Sequence, residues 1–222
     1  MTYLVWDWNG TLLDDTAAAV GALNAMLARR GGTPISLEFY RERFSFPVRP
    51  FYEECGFELE NEDWNSVAVE YHDAYAAQAT CLAEDAVAAL GHARGLGAGQ
   101  SLLSALRQDK LERDVARFDV GEFFEFVRGT DNLDGASKAD AAMRLAESVR
   151  SAHPGEEPDF VFIGDAIHDK EVADALEARC VLFSGGSHAA HRLAALAPTA
   201  DTLDAAVELA FNGRSNENRL FA

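Results

Sequence analysis

Three carboxylates, a hydroxyl group and a lysine each stand where an apolar stretch of this sequence ends or a helical one begins. The residues are Asp7, Ser104, Lys138, Asp165 and Asp169. Carboxylate oxygens are the hard ligands that Mg²⁺ takes in proteins, together with water. Three carboxylates in one place would repel one another strongly, and a divalent cation would allow them to coexist. If the fold gathers these residues, they predict a magnesium site beside two groups that bind anions.

Asp7 ends the apolar run Tyr3–Trp6 and opens the turn DWNGT, so a strand end would present it. An aspartate in such a place can act as a nucleophile and form an aspartyl-phosphate. Ser104 offers a hydroxyl donor and Lys138 a positive charge, and both can hold phosphoryl oxygens. Taken singly, each residue would more often be a helix cap or a surface group. Their order and placement together predict phosphoryl transfer.

Five apolar segments have the length and composition of buried strands: Tyr3–Trp8, Gln100–Ser104, Phe126–Arg128, Phe160–Ile163 and Cys180–Phe183. Helical patterns alternate with them at Asp85–Gly95, Ala105–Arg117, Lys138–Ser151, His168–Glu177 and His188–Leu196. This alternation predicts an α/β fold with a parallel sheet covered on both faces. Ligands bind such sheets beyond the carboxyl ends of the strands, so the polar residues are expected at one edge.

A helical insert follows the first strand. Its first helix begins at Asp14 or Asp15 and ends at a pair of glycines, and three more are predicted at Leu37–Phe44, Pro50–Cys55 and Trp64–Ala79. Residues 33–83 contain no convincing strand. We therefore predict a core of residues 1–14 and 86–222 and a helical insert of residues 15–85. The polar tail after Phe211 is expected to be loosely ordered.

Composition limits the partners of the chain. Its 222 residues are 48% hydrophobic, and the formal net charge of −18 argues against nucleic acid or an anionic membrane as a partner. No apolar run approaches the roughly 18 residues of a membrane-spanning helix, and no signal peptide is visible. Three widely spaced cysteines form no metal pattern, so a reduced cytoplasmic protein is expected, as a monomer or homodimer. With only three lysines, any attraction for an anion must be local.

Four stretches resemble the haloacid dehalogenase (HAD) superfamily, most closely its phosphoglycolate phosphatase-like branch. They are VWDWNGTLLD, QSLLS, GASK and FIGDAIHD, which occur in the order of that family. The set is specific, although each stretch alone is not. The resemblance implies a Rossmann-like core with a small helical cap inserted after the first strand, and a Mg²⁺-dependent phosphatase that acts on a small phosphorylated metabolite.

The resemblance also implies roles for individual residues. Asp7 would be the nucleophile and a metal ligand, Asp165 a metal ligand, and Asp169 a ligand or a neighbour of the ligands. The backbone carbonyl of Asn9 would complete the metal site. Ser104 and Lys138 would hold the phosphate oxygens, and Gly10 and Thr11 would shape the loop beneath the transferred group.

Asn9 departs from the pattern of the family. Its phosphatases usually have an aspartate there, which exchanges protons with the leaving alcohol and with water. An amide cannot do this near neutral pH, and losing such help typically costs about 10²–10⁴-fold in rate. The chain could therefore be a phosphatase, a slow phosphoenzyme former or phosphotransferase, or an impaired ligand-binding relative. We expect Asn9→Asp to raise the rate.

Other branches of the superfamily fit less well. Phosphonoacetaldehyde hydrolase-like enzymes need a cap lysine, and residues 15–85 contain none. Haloacid dehalogenases use no magnesium, and P-type ATPases have a membrane domain. Substrate specificity would come from the cap, where the loop SFPVRPFY presents Arg49. Arg49 could pair with a second acidic group of the substrate, or it could simply face solvent.

Overall fold

The structure is a computed structural model, which describes residues 1–130 and 138–217. Its strands are β1 (Thr2–Trp6), β2 (Leu13–Asp14), β3 (Cys81–Leu82), β4 (Gly99–Arg107), β5 (Phe126–Thr130), β6 (Asp159–Gly164), β7 (Arg179–Phe183) and β8 (Thr199–Ala200). Six of them form one sheet in the order β5-β4-β1-β6-β7-β8, with every neighbouring pair parallel. The strand order reverses direction at β1, so β1 lies at the centre of the sheet.

Ten α-helices occur in the described residues. They are α1 (Thr16–Arg29), α2 (Leu37–Arg43), α3 (Val48–Glu54), α4 (Trp64–Ala76), α5 (Ala86–Gly95), α6 (Gln108–Arg117), α7 (Lys138–Ala152), α8 (Ile167–Ala175), α9 (Ala190–Ala194) and α10 (Leu203–Glu217). None of the helices in this part of the chain is long and apolar enough to span a membrane.

The central strand is buried on both faces, which explains its continuous apolar sequence. Leu4 and Trp6 point into a core formed with α5, α6 and α10, whereas Tyr3 and Val5 point into a core formed with α7 and α8. All four side chains are at most 2% exposed. A parallel strand covered on both faces needs apolar residues at successive positions rather than at alternate ones. The prediction of a doubly covered parallel sheet is confirmed.

The helices α1 to α4 share a separate apolar core. Leu23, Met26 and Leu27 of α1 recur at helical spacing and pack against Phe51 of α3 and Val67 of α4. The chain enters this helical segment through β2 and leaves it through β3. The arrangement confirms the predicted fold class, an α/β core with an inserted helical cap. The limits of 15–85 for the cap and of 1–14 and 86–222 for the core stay predictions.

Three local expectations were wrong. Cys81–Leu82 is a strand that pairs antiparallel with Leu13–Asp14, although no strand was predicted in residues 33–83. A two-residue strand is too short to have a recognisable period. In addition, β4 continues to Arg107, so the following helix begins at Gln108 rather than at Ala105.

The third wrong expectation concerns the tail. Helix α10 runs past Phe211 to Glu217, so residues 212–217 are helical, and residues 218–222 lie outside the described part of the chain. The helix is fixed by apolar residues at helical spacing, namely Leu203, Ala206, Val207 and Ala210, which are fully buried against the sheet.

Candidate active site

Strand register places the predicted polar residues at one edge of the sheet. Trp6 of β1 lies opposite Leu102 of β4 and opposite Ile163 of β6. Asp7 follows directly, and its backbone N–H donates to the Ile163 carbonyl at 2.8 Å. Ser104 follows Leu102 by two residues, and Asp165 follows Ile163 by two residues. This register brings the three side chains to the same edge of the sheet, as predicted, although β4 continues three residues beyond Ser104.

Three buried carboxylates meet at this edge. Asp7, Asp165 and Asp169 each offer an oxygen within 4.8 Å of the others. The Lys138 ammonium at the start of α7 lies between two of them, with its Nζ 2.5 Å from an oxygen of Asp7 and 2.5 Å from an oxygen of Asp169. The structure therefore brings together the three acids and the lysine predicted at this edge. The first three residues of the GASK stretch lie outside the described residues.

The three carboxyl groups of this cluster outnumber its one ammonium group, and burial and mutual repulsion disfavour their ionised forms. Burial raises the pKa of Asp7 well above its usual range despite the Lys138 charge, and Asp169 and Asp165 raise it further. Burial and then Asp169 raise the pKa of Asp165 to about 7. Three ionised carboxylates beside one ammonium group would leave two buried negative charges. A hard divalent cation would balance them, so this donor set fits Mg²⁺.

Lys138 and Asp169 form the firmly ionised pair in the cluster. Burial alone would raise the pKa of Asp169, but the Lys138 charge and hydrogen bonds to Lys138 and to the Ala166 backbone hold it below its usual range. Burial would likewise lower the pKa of Lys138, but Asp169 and Asp7 raise it above its ordinary value. The second oxygen of Asp169 accepts the backbone N–H groups of Asp165 and Ala166 at 3.1 and 2.9 Å. Asp169 therefore fixes the turn into α8 and holds the lysine at once.

Two glycine-containing loops hold Asp165 in place. Gly10 has a φ of +77°, and a Cβ added there would overlap an oxygen of the Asp165 side chain. A Cβ added at Gly186 would overlap the same oxygen. Thr11 Oγ1 donates to Asp165 at 3.1 Å, and the Ser187 backbone N–H donates to it at 2.6 Å. The tight packing explains why both loops need glycine, and the contact of Ser187 was not predicted from the sequence.

Asn9 lies in a hydrogen-bonded group that was not predicted from the sequence either. Its Nδ2 donates to an oxygen of Asp15 at 2.7 Å, and the Tyr75 hydroxyl of α4 donates to the same oxygen at 2.5 Å. The other oxygen of Asp15 accepts the Gly10 backbone N–H at 2.7 Å. Burial raises the pKa of Asp15, and these three donors oppose the shift. The sequence signal was the second acid of the Asp14–Asp15 pair, which was interpreted only as a helix start.

Ser104 is buried within β4, three residues before the last residue of that strand, and lies beside Asn9. Its Oγ accepts the Leu106 backbone N–H at 3.0 Å and lies 3.4 Å from Asn9 Oδ1, to which it can donate. Ser104 is 1% exposed. The structure therefore brings the hydroxyl to the same edge as the acids.

The cap meets the core through Arg41 of α2. Its guanidinium donates to the carbonyls of Gly185 and Gly186 at 2.6 and 2.9 Å, in the loop that also holds Asp165. Arg49, the arginine singled out in the sequence, is half-exposed on α3, 3.6 Å from Glu53 and over the ring of Trp64. Contact of Arg49 with a substrate stays a prediction.

Comparisons with known proteins agree with this arrangement. The sequence profile described as haloacid dehalogenase-like hydrolase matches residues 4–183. A comparison with curated proteins found no significant match. Among solved structures, the chain is similar to a predicted phosphatase from Clostridium acetobutylicum, with a TM-score of 0.75 and 18% identity over 95% of this chain and 98% of that one.

Two further solved structures have the same fold. One is a predicted phosphoglycolate phosphatase from Haemophilus somnus 129pt, with a TM-score of 0.71 and 12% identity over 94% of this chain and 97% of that one. The other is Protein Tyrosine Kinase A from Mycobacterium tuberculosis, with a TM-score of 0.75 and 22% identity over 94% of this chain and 98% of that one. At these identities the likeness concerns the fold alone. Because the family profile spans most of the sequence, this chain belongs to the haloacid dehalogenase-like hydrolase family.

Proposed function

We propose that this protein is a Mg²⁺-dependent phosphatase that hydrolyses a small phosphomonoester through an aspartyl-phosphate on Asp7. The observation that carries the proposal is the buried cluster of three carboxylates, with Lys138 bridging Asp7 and Asp169 at the carboxyl end of the sheet. Family membership supports hydrolase chemistry at this edge. The phosphatase-like names of two structural neighbours are consistent with it.

In the proposed reaction, Asp7 attacks phosphorus and the bond from phosphorus to the leaving alcohol oxygen breaks. Bound Mg²⁺, held by Asp7, Asp165, Asp169 and the Asn9 carbonyl, would supply charge neutralisation for this attack. Lys138 has three N–H donors, and within the described residues Asp7 and Asp169 engage two of them, so the third would hold a phosphoryl oxygen. The Ser104 hydroxyl would hold a second phosphoryl oxygen.

Proton movement differs from that expected with an acid at position 9. Asn9 cannot donate a proton to the leaving oxygen, so that oxygen takes its proton from water. In the second step water attacks the aspartyl-phosphate, the bond from Asp7 to phosphorus breaks, and inorganic phosphate leaves with the oxygen of that water. The proton that this water releases neutralises the hydroxide formed in the first step. Asp7 returns to its starting state. Substrates whose leaving groups need no protonation should therefore react fastest.

The role of the cap, the cellular location and the oligomeric state belong to the same proposal. The cap of residues 15–85 would close over the site and select the substrate, with Arg49 available for a second acidic group. Cys55, Cys81 and Cys180 form no disulfide with one another, which is consistent with a cytoplasmic protein. A monomer and a homodimer are both compatible with the proposal.

We expect p-nitrophenyl phosphate to be hydrolysed with added Mg²⁺ and not in the presence of a chelator, because the buried acids need a cation before Asp7 can approach an anion. The measurement is p-nitrophenol release at fixed pH, with restoration of the rate by excess Mg²⁺ as the control. Absence of turnover at high enzyme concentration, or a rate that the chelator does not lower, would exclude the proposal.

A phosphotransferase is the second candidate, and Asn9 is the observation that favours it. The amide can hold an incoming hydroxyl but cannot take its proton, so water has no advantage over an alcohol at the second step. The same assay separates the two reactions when glycerol is added. Release of p-nitrophenol that exceeds release of inorganic phosphate, with glycerol phosphate as the balance, identifies transfer. Equal amounts of the two products identify hydrolysis.

A further inference from the structure

We infer that Asp15 is a positioning residue for Asn9: its carboxylate fixes the direction in which the Asn9 amide faces and requires a hydrogen-bond donor at position 9. The inference deepens the proposed function and rests on it for its catalytic consequence. It explains why an amide stands where an acid was expected, since Asp15, directly before α1, needs a hydrogen-bond donor at position 9. Asn9 and Asp15 therefore act as a hydrogen-bonded pair, in which each depends on the other.

Asp15 is almost fully enclosed by donors. Asp15 is 5% exposed. Its two carboxylate oxygens accept three hydrogen bonds, from Gly10 N, Asn9 Nδ2 and the Tyr75 hydroxyl. A buried carboxylate is stable only when such donors surround it. Because two of the three donors come from the loop after β1 and one from α4, Asp15 also joins that loop to the cap.

The amide of Asn9 can face Asp15 in one way only. With Nδ2 toward Asp15, a donor meets an acceptor at 2.7 Å, and Oδ1 faces the Ser104 hydroxyl at 3.4 Å. The reversed amide would place Oδ1 against the carboxylate, with two acceptors in contact. Asp15 therefore makes Asn9 present an acceptor on the side of Ser104. That acceptor can orient a water or an alcohol without removing its proton.

This pairing changes the expectation for Asn9→Asp. A carboxylate at position 9 would lie at the same short distance from Asp15, and the two negative groups would repel. The single substitution should therefore fail to raise the rate. Combining Asn9→Asp with Asp15→Asn restores a donor–acceptor pair, because an amide at position 15 can accept from Gly10 N and donate to a carboxylate at position 9. In this exchanged protein, the Tyr75 hydroxyl can turn to the carboxylate at position 9, since it already lies 3.4 Å from Nδ2 of Asn9.

A cycle of four proteins tests the inference: the wild type, Asn9→Asp, Asp15→Asn and the double exchange. The matched control is Asp14→Asn, the same change on the exposed neighbouring acid. Thermal unfolding is measured first, without substrate. Each single substitution should lower the melting temperature by roughly 2–8 °C, the effect of one lost buried hydrogen bond in a chain of this size. The exchange should recover most of that loss, and the control should leave the melting temperature unchanged.

Turnover of an alkyl phosphate with Mg²⁺ is the second measurement. Asp15→Asn alone should lower kcat roughly tenfold or more. The Asn9 amide would then turn over and present its NH₂ donor, in place of its oxygen, on the side of Ser104. The exchange should exceed the wild type by about 10²-fold or more, the lower range of acid–base catalysis. Asn9→Asp alone should show no gain. A gain from Asn9→Asp alone that equals that of the exchange would overturn the inference.

The two measurements separate failure of the inference from failure of the proposed function. If none of the four proteins turns over a phosphate ester, the proposed function is wrong, and the unfolding cycle still decides the pairing. Recovery of stability in the exchange would then support it. Additive losses, with the exchange as unstable as the sum of the single variants, would overturn it whatever the activity.

Discussion

Asp7→Asn should abolish Mg²⁺-dependent phosphate release, with kcat lowered by more than about 10⁴-fold, the scale on which loss of a nucleophile acts in other enzymes. The amide nitrogen is not a nucleophile near neutral pH, and the substitution also removes one negative charge from the metal site. Steady-state release of inorganic phosphate at saturating Mg²⁺ measures the effect. The proposed reaction therefore depends on Asp7 more than on any other residue.

The variant should remain folded, which makes its inactivity informative. Lys138 keeps its contact with Asp169 when the Asp7 carboxylate is gone, so the ammonium is not left alone. A far-ultraviolet spectrum and a melting temperature close to those of the wild type are the controls. Turnover at an unchanged rate would mean that Asp7 is not the nucleophile and that the proposed reaction is wrong.

Lys138→Met should lower the free energy of unfolding by about 3–5 kcal/mol at neutral pH in the presence of a chelator, because removal of one member of a buried ionic group leaves its partners uncompensated. The carboxylates of Asp7 and Asp169 would then face each other without the ammonium that now touches both. Urea unfolding measures the loss. The matched control is Lys170→Met, whose half-exposed pair with Asp174 should be worth less than about 1 kcal/mol.

The loss should be smaller at pH 5 than at pH 7. Burial already raises the pKa values of Asp7 and Asp165, and Lys138→Met would remove the charge that holds the pKa of Asp169 low, so the folded variant would bind protons more readily than its unfolded state. Stability that depends on such groups is present at low pH and is lost as the pH rises through the raised pKa. Equal losses for Lys138→Met and Lys170→Met, or a loss that grows on acidification, would contradict the electrostatic description of the cluster.

The sequence was most informative where strong apolar strands lead directly into polar residues. The buried runs before Asp7 and Asp165, and the apolar residues before Ser104, made their meeting at one edge predictable, because parallel strands present such residues at a common edge. Lys138 could be included because the chain has only three lysines. These features depend on local patterns and on one general property of parallel sheets.

The contacts between cap and core could not be predicted in the same way. Tyr75 and Arg41 reach the core only through the placement of α4 and α2, which no local pattern encodes. The role of Asp15 depends in turn on Tyr75 and on the turn at Gly10. Among the residues of the helical segment, Arg49 had the more conspicuous surroundings in the sequence, but Arg41 makes the contact with the Gly185–Gly186 loop.

Asn9 is best understood through these cap contacts rather than as a lost acid. An amide at this position satisfies a buried carboxylate and offers an oxygen beside Ser104. The proposed phosphatase would therefore favour substrates with good leaving groups. An acceptor alcohol could compete with water for the phosphoryl group to an extent that the glycerol assay measures.

The most direct test of the central claim is to locate the phosphoryl group on the enzyme. The protein is mixed with Mg²⁺ and a reactive phosphate ester, quenched in acid and digested, and its peptides are examined by mass spectrometry. We predict a mass increase of one phosphoryl group on the peptide that contains Asp7, sensitive to hydroxylamine and absent from Asp7→Asn. Turnover accompanied by a stable label on another residue, or by none under conditions that trap acyl phosphates, would contradict the account.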